Sequence, residues 1–297
     1  MHLDQRALFE LAELAGAAAR RAGAYTQSRS QDGVEVLRKS GGDTLASQVV
    51  TEVDEQAQAL ILDTLAPATE AHDLAILTEE SADDGSRLKK DYFWCIDPLD
   101  GTLPFTRGLP GYAVSIALVR RDGRPVIGVV YDPAKDRMFR AVQGGGIEID
   151  GVFPTTQGIA RGQKRLLFCY DCTFADDPQR ESVREQMDRL AAELGYGSAE
   201  IHIGGGAVLN ACHVLEHPPA IYFKRPKPKL GGGSFWDFAA TACLFEEAGA
   251  HVSDFSGQAL QLNRPGGTFM NHCGICYATD AELALSFLQR IGSGGIL

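Results

Sequence analysis

Six consecutive residues, Asp97-Pro98-Leu99-Asp100-Gly101-Thr102, carry the densest chemistry in the chain. They follow Tyr92-Phe93-Trp94-Cys95-Ile96, an apolar run that reads as a buried strand. Pro98 lacks an N–H and fixes φ, so the strand is expected to stop there. Gly101 lets the backbone approach a ligand closely, and Thr102 offers a hydroxyl and an N–H. Carboxylates packed this tightly repel one another unless a cation sits between them. The turn is therefore read as a seat for a divalent metal and a phosphate.

Other acidic residues recur where strands end or helices begin. Glu79 ends the apolar run 74–78, just as Asp97 and Asp100 end the next one, so neighbouring strand ends would bring all three together. Asp54 leads into a helical pattern, and Asp237 opens a helix after Gly231-Gly232-Gly233-Ser234-Phe235-Trp236. Taken singly, each is more commonly a helix cap or a solvated carboxylate. Their joint placement is the argument for a site.

The elements that must position these groups follow from periodicity. Residues 3–27 place Leu8, Leu11, Ala12, Ala15, Ala18, Ala19 and Ala22 at helical spacing, giving a helix with a small-residue face. A short strand is expected at 34–39. A second helix carries Ala57, Leu60, Ile61 and Leu65, closed by Pro67. After the acidic turn come strands at 112–119, 126–132 and 137–142. Strands at 165–170, 199–203 and 220–224 then alternate with helices at about 179–194, from Gly204-Gly205-Gly206 to His213 or beyond, and at 236–248. Strands at 251–254 and 275–278 and a helix at 281–291, with Thr279 and Glu282 as its capping box, finish the chain. This alternation implies α/β layering. A division is expected near 155–165, giving an α+β domain at 1–158 with most of the acidic ligands and an α/β domain at 159–297 with Asp237.

The chain has 297 residues and a net charge of −11, which argues against general binding to nucleic acid or anionic membranes. Residues 1–21 lack a signal-peptide core, and no apolar run is long enough to span a bilayer, so a cytoplasmic location is expected. Seven cysteines, an odd number, suggest free thiols in a reducing compartment. The pairs Cys169/Cys172 and Cys273/Cys276 lie in strand-like runs, which favours buried thiols over a zinc site.

Glu79-Glu80-Ser81, the Asp97–Thr102 turn, Val114-Ser115-Ile116-Ala117, Trp236-Asp237 and Glu247-Ala248-Gly249 appear in the order and spacing of one known family. Over nearly its whole length the chain resembles the inositol monophosphatase family of metal-dependent, lithium-sensitive phosphatases. The resemblance implies a layered αβαβα sandwich, shared with fructose-1,6-bisphosphatase, and often a homodimer. It implies two or three Mg²⁺ ions held by Glu79, Asp97, Asp100, Asp237 and the Leu99 carbonyl, with the Thr102 hydroxyl completing the shell. Gly101 and Thr102 would hold phosphate oxygens, and Asp54 with Thr102 would orient and deprotonate the attacking water. Glu79, as a ligand of the ion that activates this water, would share the catalytic role. The partner is then a small phosphate ester: inositol monophosphate, or alternatively the adenosine 3′,5′-bisphosphate of the related 3′(2′),5′-bisphosphate nucleotidases. Fructose-1,6-bisphosphatase activity and silent phosphate binding are weaker readings.

The substrate side departs from the family pattern. Pro104 stands where the family commonly has Asn, and the segment 39–54 is longer. Lys224-Arg225-Pro226-Lys227-Pro228-Lys229 precedes Trp236, with no acidic counterpart to the family's ring-binding residue. This stretch is either a solvated loop or a cradle in which Lys227 and Lys229 bind a second phosphate. Asp100 and Asp237 are also expected to face the substrate, as are Gly205 and Gly206, which precede a helix and could admit an anion.

Overall fold

Small side chains set the first layer. Ala15, Ala18, Ala19 and Ala22 of helix α1 (Gln5–Arg29) are fully buried, so its axis lies close to α2 (Glu52–Ala71) and to the sheet beneath. Asp4 caps α1 by accepting the Ala7 N–H at 2.8 Å. The computed structural model of the chain describes residues 3–30, 36–38, 49–152 and 165–292, with backbone alone at 36–38, 49–51 and 292. Two short strands, β1 (Val36–Arg38) and β2 (Val49–Thr51), pair antiparallel. The expected division near 155–165 lies almost wholly outside the described residues.

The second layer is a six-stranded sheet in the order β3 (Ala75–Thr78), β4 (Tyr92–Asp100), β5 (Ala113–Arg120), β6 (Pro125–Asp132), β7 (Arg137–Val142) and β8 (Gly146–Ile149). β3 and β4 are parallel and the remaining neighbours antiparallel. The fourth layer is a five-stranded sheet in the order β10 (Ser198–Ile203), β9 (Arg165–Tyr170), β11 (Ala220–Lys224), β13 (Ile275–Ala278) and β12 (His251–Ser253). Between the sheets lie α5 (Ala207–Glu216) and α6 (Phe235–Glu247), their apolar faces sharing one continuous core with both. Helices α4 (Arg180–Glu193) and α7 (Ala281–Gly292) cover the outer face of the second sheet. A one-turn helix, α3 (Thr102–Thr106), follows the acidic turn. The result is the expected αβαβα sandwich. Among the described residues no helix is long and apolar enough to cross a membrane.

Three expectations fail for local reasons. Strand β4 does not stop at Pro98 but runs on to Asp100. Asp97 pairs with Ser115 and Asp100 with Ala113, so two residues of β4 oppose one of β5. Pro98 sits in this bulge, where no ladder N–H is required. Nor does Pro67 end α2, which continues to Ala71. The carbonyl that loses its donor belongs to Asp63, on the exposed face, where it is open to solvent. Helix α7 is capped by Asp280, which accepts the Leu283 N–H at 2.8 Å, while Thr279 instead accepts the Ala220 N–H at 3.3 Å. β8 was not anticipated.

Candidate active site

Parallel pairing of β3 with β4 sets the first two acids side by side. Thr78 lies opposite Ile96, and the Glu79 N–H donates to the Ile96 carbonyl at 3.2 Å. Gln58 of α2 holds the Glu79-Glu80-Ser81 turn from below. Its Oε1 accepts from the Thr78 hydroxyl at 2.5 Å and the Glu80 N–H at 3.2 Å, and its Nε2 donates to Ser81 at 2.9 Å. The bulge then turns Asp97 and Asp100 toward the same space. Asp97 Oδ1 accepts the Leu99 N–H at 3.0 Å, and the Thr102 hydroxyl donates to the Leu99 carbonyl at 3.2 Å.

Gly101 has φ of +85°, and a Cβ there would stand 2.4 Å from the Gly111 carbonyl oxygen. Conformation and space both exclude a side chain. The same Gly111 carbonyl accepts the Gly206 N–H at 2.9 Å and so brings the start of α5 to the turn. Asp100 then caps α5 from 107 residues away: Oδ1 accepts the Ala207 N–H at 3.1 Å and Oδ2 the Val208 N–H at 2.9 Å. A Cβ on Gly206 would lie 2.2 Å from Asp100 Oδ2. Gly206 thus makes room for the Asp100 carboxylate, and Gly205 for the Gly111 backbone.

Asp237 arrives from α6. Its Oδ2 accepts the N–H of Ser234, the residue that begins the helix, at 2.6 Å, one half of a capping box. Oxygens of Asp97, Asp100 and Asp237 lie within 4.8 Å of one another. All three line one cavity of about 430 Å³ together with Glu79, Leu99, Gly101, Thr102, Gly205 and Gly206. Asp54 is buried in the first turn of α2, beside Val53, which packs on Leu99 and Tyr112. Asp54 does not itself line the cavity; nor do Lys227 and Lys229. Lys227 lies along Gly232, which does.

Burial and mutual repulsion dominate the electrostatics. Asp97 is held well above the usual carboxylate range, first by desolvation and then by Glu79, Asp100 and Asp237. Burial, with Asp237 alongside, pushes Asp100 up to about 8. Asp237 is raised by burial too, against the pull of Lys224. Such a cluster either keeps protons or takes a cation. All-oxygen donors suit a hard divalent ion, so the residues present fit Mg²⁺. By contrast, all seven cysteines are free thiols, and among the described residues no sulfur joins a ligand cluster.

Sequence reasoning missed the pair Asp171 and Lys224 as cavity residues. Asp171 follows β9 and Lys224 ends β11, parallel neighbours whose ends reach the same edge. The sequence places Lys224 at the end of the strand 220–224 and at the head of the basic stretch 224–229, without singling it out from that stretch. Its place at a strand end, shared by Glu79 and Asp97, was the available signal.

The family model described as the inositol monophosphatase family matches residues 7–291. A similar curated protein, Nus factor SuhB of Escherichia coli K12, is 34% identical over 246 residues, covering 81% of this chain and 83% of that protein. Nus factor SuhB of Vibrio cholerae is 30% identical over 281 residues, 94% of each chain. Among solved structures, an inositol monophosphatase of Thermotoga maritima superposes with a TM-score of 0.71 at 24% identity, over 98% of this chain and 100% of its own. One described as an IMPase/NADP phosphatase complexed with NADP and Ca²⁺ gives 0.73 at 17% identity, over 96% and 95%. These two likenesses speak for the fold.

Proposed function

The chain belongs to the inositol monophosphatase family, and on that footing we propose that it is a Mg²⁺-dependent phosphomonoesterase acting on a small phosphorylated metabolite, inositol monophosphate first among them. The observation that carries this reading is the convergence of Asp97 and Asp100, from strand β4, and Asp237, from helix α6, to within 4.8 Å. Glu79, Asp97, Asp100, Asp237, the Leu99 carbonyl and the Thr102 hydroxyl would hold the ions. Divalent ions held there would supply Lewis acidity, for an acidified water and a stabilised leaving alkoxide.

The chain's own groups do the rest. Backbone N–H groups of Gly101 and Thr102 hold the phosphate oxygens, at a turn kept open by glycine. The helix starts of α5 and α6 point partial positive charge at the carboxylates and keep them fixed. Thr102, on the cavity wall, would orient the attacking water, and Asp54, buried in the first turn of α2 and outside the lining, would take up the proton through the Thr102 hydroxyl. A net charge of −11 favours a small ester over nucleic acid as partner; the word Nus in the relatives' name belongs to those proteins. A homodimer is part of the same reading and is checked by light scattering.

Phosphate release from myo-inositol 1-phosphate and p-nitrophenyl phosphate, with Mg²⁺ and with chelator, tests the proposal. Release that needs Mg²⁺ supports it. A folded protein that frees no phosphate from either ester with Mg²⁺ present would sink it.

A further inference from the structure

Arg87 is 1% exposed, yet it does not line the cavity. It stands in a short 3₁₀ turn, Ser86–Leu88, in the loop that leads from Glu79 to β4. Its guanidinium reaches three parts of the chain at once. Nε donates to Asp83 Oδ2 at 2.9 Å, and Nη2 lies 2.8 Å from the same oxygen, within its own loop. Nη1 donates to Asn263 Oδ1 at 2.5 Å and to the Arg264 carbonyl at 3.2 Å, 176 and 177 residues away. The guanidinium carbon lies 5.6 Å from the centre of the ring of Phe235, the first residue of α6. Asn263 returns the bond: its Nδ2 donates to the Arg87 carbonyl at 3.0 Å and to the Arg121 carbonyl at 2.9 Å. Both ends of its amide are therefore taken, and the chain is pinned there between the Arg87 loop and the turn from β5 to β6.

From Asn263 the segment 263–270 runs on to the start of α6. The Phe235 N–H donates to the Thr268 carbonyl at 3.1 Å, the Met270 N–H donates to the Gly233 carbonyl at 3.0 Å, and Phe269 pairs antiparallel with Ser234. Ser234 is the residue whose N–H holds Asp237 Oδ2. A continuous set of bonds thus leads from Arg87 to the frame of Asp237, while the loop of Arg87 itself begins at Glu79. One side chain joins two acid-bearing stretches from different layers. Burying a charged pair costs about as much as it returns, so an apolar side chain would stabilise the fold as well. The planar fork adds direction, with donors fixed in a geometry that lysine does not reproduce. Charge alone would act with the opposite sign. A buried cation repels a divalent ion in the acid cluster, so removing it would tighten metal binding. Loss of position would loosen it.

We propose that Arg87 is a positioning residue for the metal seat, acting through Asn263 and the segment 263–270 to hold Asp237 in register with Glu79 and Asp97. This rests on the reading of the acid cluster as a seat for a divalent ion. The test titrates Mn²⁺, a paramagnetic substitute for Mg²⁺, into metal-free wild type, Arg87→Met, Arg87→Lys, Asn263→Ala and the double variant of Arg87→Met with Asn263→Ala. Electron paramagnetic resonance counts the free ion, and circular dichroism and urea unfolding record fold and stability. Arg87→Met and Asn263→Ala are each expected to raise the Mn²⁺ dissociation constant about tenfold, with secondary structure unchanged. The double variant should raise it no further than the worse single, because both cut the same connection. Arg87→Lys keeps the charge and loses the fork, so it should follow Arg87→Met. In hydrolysis of p-nitrophenyl phosphate the half-saturating Mg²⁺ concentration should rise in parallel, and saturating Mg²⁺ should return kcat to within about threefold of wild type. Tighter Mn²⁺ binding in Arg87→Met, with Asn263→Ala at wild-type affinity, would make Arg87 a purely electrostatic neighbour and overturn the inference. Lower stability with unchanged affinity in Asn263→Ala and in the Arg87 variants that fold would reduce Arg87 to a structural role and overturn it too. Asn263 is partly exposed, so its variant serves if Arg87→Met does not fold. A folded wild type that binds no Mn²⁺ would bring down the metal-seat reading itself, and the inference with it.

Discussion

Two helices aim their N-termini at the cavity, and they are capped in opposite ways. Helix α6 is closed from within: Asp237 reaches back three residues to the Ser234 N–H. Helix α5 begins with Gly206, which has no side chain, and takes its cap from Asp100 on the other sheet. Both caps are also candidate metal ligands. The difference teaches that one ligand depends only on local helix geometry, whereas the other exists only when the two sheets are docked. Asp100 therefore ties its ligand role to the docking of distant parts of the chain, whereas Asp237 ties its own to the start of a single helix.

The largest effect should come from Asp100→Asn and Asp237→Asn. Either change is expected to cut Mg²⁺-dependent kcat/KM by about a thousandfold or more. The two should part in stability. The Asp100 variant keeps one oxygen for two N–H donors and adds an NH₂ facing one of them, so urea unfolding should show the greater loss, about 1–3 kcal/mol. Equal losses would break the contrast between the caps. Gly206→Ala comes next. Its methyl group collides with the Asp100 carboxylate, so stability should fall by about 1–3 kcal/mol and the Mg²⁺ concentration for half-maximal activity should rise, measured by urea titration and by Mg²⁺ titration.

How much of this was legible beforehand differs between the two caps. Glu79, Asp97, Asp100 and Asp237 could be picked out because strand ends and helix starts are written in local periodicity. The capping of α5 by Asp100 could not, because it depends on Gly111 meeting Gly206 across the fold. The bulge at Pro98 was hidden for a similar reason: proline forbids a ladder bond, and only pairing with β5 reveals that none is needed. Asp171 and Lys224 were likewise invisible as a pair, since parallel registration of β9 with β11 brings them together.

A smaller, pH-dependent effect follows from the buried acids. Asp97 and Asp100 are raised in the folded chain, so the folded state holds protons that the unfolded state releases. Stability of the metal-free protein should be greatest below the ordinary carboxylate range and should fall as pH rises toward about 8. Mg²⁺ should restore the loss, with its largest effect on the melting temperature at the alkaline end. A metal-free melting temperature that climbs from pH 5 to 8 would contradict this assignment. The smallest effect belongs to a cap remote from the cavity. Asp280→Ala removes the side-chain cap of α7 and should cost about 1 kcal/mol in urea unfolding. Its kcat/KM should match the wild type, which separates capping as such from capping by a ligand.

The reach of Asp100 to Ala207 and Val208 has a kinetic consequence. Residues from both ends of the chain's order must be assembled before a complete binding shell exists, so an ion can latch only onto a nearly finished molecule. Mg²⁺ should then slow escape from the native state while leaving the refolding limb of a chevron almost unmoved, and stopped-flow traces with and without the ion would show it.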